Sequence, residues 1–331
     1  MKILVILPNW LGDAIMATPA IELLAHYYKD AKFTFVGSFV SVEALKYHPQ
    51  CIRAVVDETK KAKSRFKATK ELAKSLGSFD LAITFRNQLH SSLLLYFADA
   101  KMTLAKKSWH SMFLVKTTPT IKDGVHLATQ YAKLAMSGVD EWDNNTPKLK
   151  LYIEPKVFDR PTLGINAGAT YGSAKRWYPD RFAQVAKEFA DDFDILIFGG
   201  PTEVEVANDI EAHLRDFGVS NYKNIAGKTT IKELCEHIGG LSLFVTNDSG
   251  PMHVAAAYGV PTVAIFGPTK YTETSQWKNE KGVIVRHDVI CAPCMKRECP
   301  LKHHECMKNI EAYEVVGELR KLCYPEPTPS P

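Results

Sequence analysis

The run Val245-Thr-Asn-Asp-Ser-Gly-Pro-Met-His-Val-Ala-Ala-Ala-Tyr-Gly-Val-Pro-Thr-Val-Ala-Ile-Phe-Gly-Pro-Thr269 decides the fold. An apolar strand, Leu243 to Thr246, stops at Asn247-Asp248-Ser249-Gly250, and a helix of small residues starts at once. A second apolar strand, Thr262 to Phe266, then ends in Gly267-Pro268-Thr269. The first junction leaves backbone N–H groups at a helix start, where partial positive charge gathers. That makes an anion seat, with phosphate its usual occupant. Ser249 is placed to cap the helix, and Gly250 lets a ligand approach the backbone. Asp248 is out of place beside a phosphate and is expected to face a sugar hydroxyl or a backbone amide. His253 falls one helical turn beyond Ser249 on the same face, so it reads as a satisfied core histidine or as a phosphate contact.

Outward from this unit, short apolar runs alternate with amphipathic stretches along the whole chain. Ile3–Leu7, Phe33–Val36, Ile52–Val56 and Leu81–Phe85 read as buried strands of a first half, with helices over Ala14–Tyr28, Ala68–Leu76 and His126–Ser137. The second half repeats the scheme with strands Thr162–Asn166, Asp194–Phe198, Leu243–Thr246 and Thr262–Phe266. Its helices are Pro179–Asp191, Glu203–Arg215, Ile231–Gly239 and Pro251–Tyr258. Alternating βα units imply parallel sheets with helices on both faces. The expected fold is therefore α/β: two Rossmann-like domains whose parallel sheets face a central cleft. They join near Glu154–Pro161, and a helix over 312–322 and a Pro-rich tail follow. Ligands of such sheets sit beyond the carboxyl ends of the strands.

The first strand ends in Pro8-Asn9-Trp10-Leu11-Gly12-Asp13, with no Gly-x-Gly-x-x-Gly, which argues against a nicotinamide dehydrogenase. Asp13 either caps a helix beginning at Ala14 or serves as a general base. The first strand of the second half runs into Ala167-Gly-Ala-Thr-Tyr-Gly-Ser-Ala-Lys-Arg-Trp177, where Thr170, Ser173, Lys175 and Arg176 place hydroxyls and cations ahead of a helix. Lys175 suits a phosphate as a point charge and Arg176 as a planar fork; Arg176 and Trp177 could instead pack the domain join. The next strand ends in Gly199-Gly200-Pro201-Thr202-Glu203, where Glu203 suits ribose hydroxyls or the helix dipole. Thr229, in Gly227-Lys228-Thr229, is a weaker candidate for a base pocket.

Composition bounds the class. The 331 residues are 46% hydrophobic and 24% charged, ordinary for a soluble globular protein. No uncharged apolar run approaches the roughly 18–20 residues of a membrane span. The apolar start, Ile3 to Leu7, is too short for a signal peptide, so a cytoplasmic location is expected. Charge is uneven: residues 1–150 carry 21 Lys+Arg against 13 Asp+Glu, and the remainder 20 against 24. The basic half suggests an anionic partner. Its densest cluster is Lys60, Lys61, Lys63, Arg65, Lys67, Lys70 and Lys74, which lacks the interleaved aromatics of a single-strand nucleic-acid binder.

Taken together, Asn9-Trp-Leu-Gly-Asp13 with Thr18-Pro19-Ala20, Ala167-Gly-Ala-Thr170 with Lys175-Arg176-Trp177, and Thr246-Asn-Asp-Ser-Gly-Pro-Met-His253 with Gly267-Pro268-Thr269 resemble the ADP-heptose:lipopolysaccharide heptosyltransferases. The resemblance covers about Met1 to Leu322. It implies the GT-B fold, with an acceptor-binding domain over 1–155, an ADP-heptose-binding domain over 156–322, whose last helix could pack back on the first domain, and a tail over 323–331. It makes Asp13 the catalytic base. Substrate binding falls to Gly12, Thr170, Ser173, Lys175, Arg176, Gly199, Glu203, Thr229, Asn247, Asp248, Ser249, Gly250 and His253. The reaction implied is inverting transfer of heptose from ADP-L-glycero-D-manno-heptose to the first heptose of the inner lipopolysaccharide or lipooligosaccharide core. It needs no cofactor or metal, and no nucleic acid. The Trp-Leu-Gly-Asp and Ala-Lys-Arg-Trp forms and the cysteine-rich end stand closer to members that add the second heptose than to those that add the first to Kdo. The acceptor, a heptosylated Kdo-lipid A, implies loose attachment to the inner face of the cytoplasmic membrane. Rival readings are transfer to Kdo, a nucleotide-sugar epimerase of the same shape, and a non-catalytic nucleotide-sugar sensor.

Four of the seven cysteines, Cys291, Cys294, Cys299 and Cys306, lie within 16 residues, with His303 and His304 between them. The opening C-x2-C suits a metal, but the later spacings match no zinc ribbon or ferredoxin pattern. Reduced thiols in a loop near the cleft are expected.

Overall fold

The computed structural model describes residues 1–323, which divide into two compact units between Tyr152 and Ile153. Apart from Cys323, the tail expected over 323–331 lies outside the described residues. The first unit is built on β1 (Lys2–Ile6), β2 (Lys32–Gly37), β3 (Cys51–Val56), β4 (Ser78–Thr84) and β5 (Asp99–Ala105). The strands run in the order β3-β2-β1-β4-β5, every pair parallel. Ile3 to Leu7 are fully buried, as expected of a central strand covered on both faces. The order reverses direction at β1/β4, and the crevice beyond that switch point is where such a sheet takes ligands.

The second unit holds β6 (Thr162–Asn166), β7 (Asp194–Phe198), β8 (Tyr222–Asn224), β9 (Leu243–Asn247), β10 (Thr262–Ile265) and β11 (Gly282–Val285). Its parallel order, β11-β10-β9-β6-β7-β8, is the six-stranded Rossmann arrangement with its switch point at β6/β9. Trp177, Phe182, Ile195, Val245 and Ile265 share one core. Full burial of each such side chain contributes about 1.5–3 kcal/mol. The closing helix, Ala312–Cys323, buries Val315, Val316 and Leu319 in that same core.

The helix expected over Ala14–Tyr28 is two helices, Leu11–Met16 and Thr18–Tyr27. Pro19 has no N–H for the Ile15 carbonyl, four residues back, and the Thr18 hydroxyl donates to that carbonyl instead, at 2.7 Å. The first helix begins at Leu11, with Trp10 at its N-cap, so Asp13 lies within its first turn and does not cap it.

Candidate active site

In the first unit, the turn after β1 is pinned carbonyl by carbonyl. Arg86 Nε donates to Leu7 O, Ser41 Oγ to Pro8 O, and Ser38 Oγ to Asn9 O at 2.7 Å. The helix beginning at Leu11 then carries Gly12, which is buried, and Asp13, which is half-buried. A carboxylate in a first helical turn is favoured by the dipole. Asp13 lines a cavity of about 320 Å³ with Asn9 and Trp10, with Arg86, Asn87 and Gln88 from the end of β4, and with Lys106, Gln130 and Tyr131. The cavity stands at the β1/β4 switch point. Burial, and then the nearby Asp13 carboxylate, push the Tyr131 phenol well above its ordinary pKa, so it stays a neutral hydroxyl beside the acid.

Behind the cavity, Asp57 Oδ2 accepts from His90 Nε2 at 2.9 Å and Arg86 Nη1 at 3.3 Å, while its Oδ1 accepts from the Thr59 hydroxyl at 2.6 Å. Burial alone would raise the Asp57 pKa, but the hydrogen bonds from His90 and Thr59 hold it well below the ordinary carboxylate range. Sequence reasoning missed the trio of Asp57, Arg86 and His90. Arg86 stands directly after the predicted strand Leu81–Phe85, so the strand-end rule that singled out Asp13 points to it as well.

In the second unit, the candidate residues gather at the β6/β9 switch point. Lys175 Nζ lies 2.6 Å from Asp248 Oδ2, and the Thr269 hydroxyl donates to that same oxygen at 2.6 Å. The expectation for Asp248 is thereby corrected: its carboxylate faces an ammonium and a hydroxyl of the protein. Lys175 Nζ also donates to Asp248 O at 3.3 Å and stands 4.8 Å from the centre of the Tyr171 ring. Arg176 is half-buried beside it, its Nε without a hydrogen-bond partner.

Ser249 occupies the N-cap position of the helix Gly250–Tyr258, but its hydroxyl makes no capping bond. It instead accepts from Asn166 Nδ2 at 3.1 Å, a correction that leaves the first turn's amides without a side-chain cap among the described residues. His253 is buried one turn on. Asn247 is also corrected. It is fully buried, its Oδ1 accepting from Trp177 N at 3.1 Å and its Nδ2 donating to Ala167 O at 2.6 Å. It braces the Lys175 loop and offers no surface to a ligand. Trp177 is buried in this unit's own core and donates through Nε1 to Ile310 O.

A second cluster lies at the end of β7. Glu203 Oε2 accepts from Gly200 N at 2.8 Å, and its Oε1 from the Thr170 hydroxyl at 3.3 Å. It sits so close over Gly168 that a Cβ there would fall 2.1 Å from Oε2. Gly199 lies against the Glu203 Cβ and backbone oxygen, not its carboxylate, and Ser173 is exposed on the loop between the clusters. Thr229 stands apart, in the loop beyond β8, two strands from the switch point, and makes no hydrogen bond to the others among the described residues.

The cysteine segment packs against the Lys175 loop. Ala174 N donates to Arg297 O at 3.0 Å, His304 Nε2 lies 2.9 Å from Ala174 O, and His304 Nδ1 lies 3.1 Å from the Tyr178 hydroxyl. The same segment holds the β10 end through Met295 N, which donates to Pro268 O at 2.8 Å. All seven cysteines are free thiols, and among the described residues no three His, Cys, Asp or Glu side chains converge as a metal site requires. Burial, and then the neighbouring Cys291, Cys294 and Cys299, push the Cys306 thiol up to about 11, so it is protonated at neutral pH.

Two Rossmann-type sheets, one with a carboxylate at its switch point and the other with a lysine and a helix start, place the chain in the GT-B structural class. Residues 67–305 match glycosyltransferase family 9 (heptosyltransferase), and the chain belongs to that family. It is 40% identical over 326 residues to the lipooligosaccharide heptosyltransferase 2 of Campylobacter jejuni serotype O:2, covering 97% of this chain and 98% of that one. The lipopolysaccharide heptosyltransferase 2 of Escherichia coli K12 is 26% identical, with 98% and 99% covered. The solved structure of the E. coli ADP-heptose lipopolysaccharide heptosyltransferase II superposes with a TM-score of 0.81 at 25% identity, covering 97% of this chain and 98% of that one. Membership of this family makes the protein a glycosyltransferase and removes the epimerase and sensor readings.

Proposed function

We propose that the protein transfers heptose from ADP-heptose to the first heptose of the lipopolysaccharide or lipooligosaccharide inner core, with inversion at the anomeric carbon. The acceptor hydroxyl gives its proton to Asp13 as its oxygen attacks that carbon, and ADP departs with the bonding electron pair. Positive charge aimed at the leaving diphosphate lowers the barrier because it matters more as the negative charge grows. Lys175, the amides at the start of the helix Gly250–Tyr258, Arg176 and His253 are assigned that task. Thr170, Ser173, Gly199, Glu203 and Thr229 are assigned to the nucleoside and its ribose. The reading needs no divalent cation, because these groups carry the positive charge. The observation that supports it most directly is the ammonium of Lys175, held by Asp248 at the head of an uncapped helix.

Transfer assays with ADP-heptose on Kdo-lipid A, with and without one heptose, test this reading. Product only from the heptosylated acceptor, of opposite anomeric configuration to the donor and undiminished by chelator, is the expected result. Product from the bare Kdo acceptor moves the assignment to first-heptose transfer. No helix among the described residues is long and apolar enough to cross a membrane. The basic first unit would instead hold the enzyme against an anionic lipid surface, an attachment that weakens as salt rises.

A further inference from the structure

The helices Arg65–Leu76, Leu89–Phe97 and Ser111–Leu114 of the first unit pack their inner sides into one core, through Ala73, Leu95 and Leu114 among others. Their outer sides leave large apolar side chains in solvent: Phe66, Tyr96 and Met112 are exposed, Phe113 is 82% exposed, and Trp109, just ahead of the third helix, is 69% exposed. Phe66 and Tyr96 each meet Phe97 edge-on, with ring centroids 5.3 Å apart. Single exposed apolar residues need no explanation, but a cluster on one face marks an interaction site. Between residues 60 and 74 seven cations stand against one acid, Glu71, and Lys70 Nζ lies 5.9 Å from the centre of the Phe97 ring.

We propose that this face docks on an anionic lipid surface, with Trp109, Met112 and Phe113 entering the interface while Lys60, Lys63 and Lys70 meet the headgroup phosphates. Aromatic and apolar tips among lysines are the composition of an interfacial membrane surface. A protein partner is less suited, because lysine is depleted in protein interfaces. The patch adjoins the Asp13 cavity along the chain: Gln88 lines the cavity and Leu89 begins the second helix, and Lys106 lines it three residues before Trp109. The inference rests on the proposed lipid-linked acceptor, since the loops that would take its sugar also carry the surface that meets its anchor.

The test is sedimentation of the full chain with vesicles of phosphatidylglycerol and phosphatidylethanolamine, against phosphatidylcholine alone, at physiological salt. Binding to the anionic vesicles only is expected, with a blue shift in tryptophan emission that Trp109→Phe removes. Met112→Ser with Phe113→Ser, and separately Lys63→Glu with Lys70→Glu, should each lower partitioning by about tenfold or more. Both double variants should transfer heptose normally to a lipid-free acceptor fragment. Absence of vesicle binding, binding indifferent to both double variants, or a dimer in light scattering that Phe113→Ser dissolves would overturn the proposal. Vesicle binding without transfer to any acceptor would leave the docking surface standing and remove the acceptor reading.

Discussion

Lys175 Nζ and Asp248 Oδ2 stand 2.6 Å apart at the β6/β9 switch point, with the Thr269 hydroxyl on the same oxygen. The two residues come from loops more than seventy positions apart, and each sets the other's function. Asp248 fixes where the ammonium points, and Lys175 gives the buried carboxylate its counter-charge beside the proposed diphosphate site.

Lys175→Ala should raise the dissociation constant for ADP at least tenfold, about 1.4 kcal/mol, in titration calorimetry. Asp248→Asn keeps a partner for Thr269 but loses the charge that orients Lys175, so a smaller rise is expected. An unchanged ADP affinity in Lys175→Ala would remove that residue from the donor site.

Asp13→Ala should lower kcat by roughly 100- to 10,000-fold, the range for loss of a general base, while ADP affinity stays at the wild-type value. Turnover close to wild type in this variant would refute the assignment of Asp13.

The Asp57 carboxyl is held below its unfolded value, so the folded state binds fewer protons there than the unfolded chain does. Its stabilisation is fully present above the ordinary aspartate value of about 4 and is lost as pH falls from there through the lower folded pKa. Asp57→Asn should therefore be less stable than wild type at pH 7, with the gap narrowing below about pH 4 in denaturant titrations. Asp57→Ala leaves the buried Arg86 guanidinium without its counter-charge and should cost about 3–5 kcal/mol. An Asp57→Asn curve parallel to wild type at every pH would show that the trio is not coupled to folding.

His304→Ala removes both ring contacts to the Lys175 loop, at Ala174 and Tyr178, yet lies outside the proposed substrate contacts. The expected result is a several-fold higher KM for ADP-heptose, with kcat within about twofold and a lowered Tm. Gly172→Ala tests the same joint from the other side, because a Cβ there would fall 2.2 Å from Arg297 O. If neither variant moves donor KM, the cysteine segment does not position Lys175.

Much of this fold was legible because its central strands are covered on both faces and so read as unbroken apolar runs. β1, β4, β6, β7, β9 and β10 all fall where such runs occur. The strands missed are those at or toward the edges. β5 exposes Lys101 and Met102, β8 has three residues, and β11 has four, three of them only partly covered. Edge strands bury one side or little at all, so their apolar pattern is thin. Helices Phe39–Leu45 and Leu89–Phe97 also went unread. The second buries His90, Ser91 and Ser92 while exposing Leu89 and Tyr96, which erases the period that marks an amphipathic helix.

For the site, local chemistry was readable and partnership was not. Glycines, small residues and a strand running straight into a helix are chain-neighbour properties, so the sequence by itself determined two βα series with polar residues at their strand ends. Only the tertiary structure decided which ends meet. Strand order brings Asn166 to Ser249 and Asn247 to Trp177, and it sets Asp248 against Lys175 and Arg86 against Asp57. Each pairing joins segments about thirty to eighty residues apart, and a buried polar group takes whichever partner the packing supplies. No residue spacing records that choice, because it follows from which strands become neighbours in the sheet.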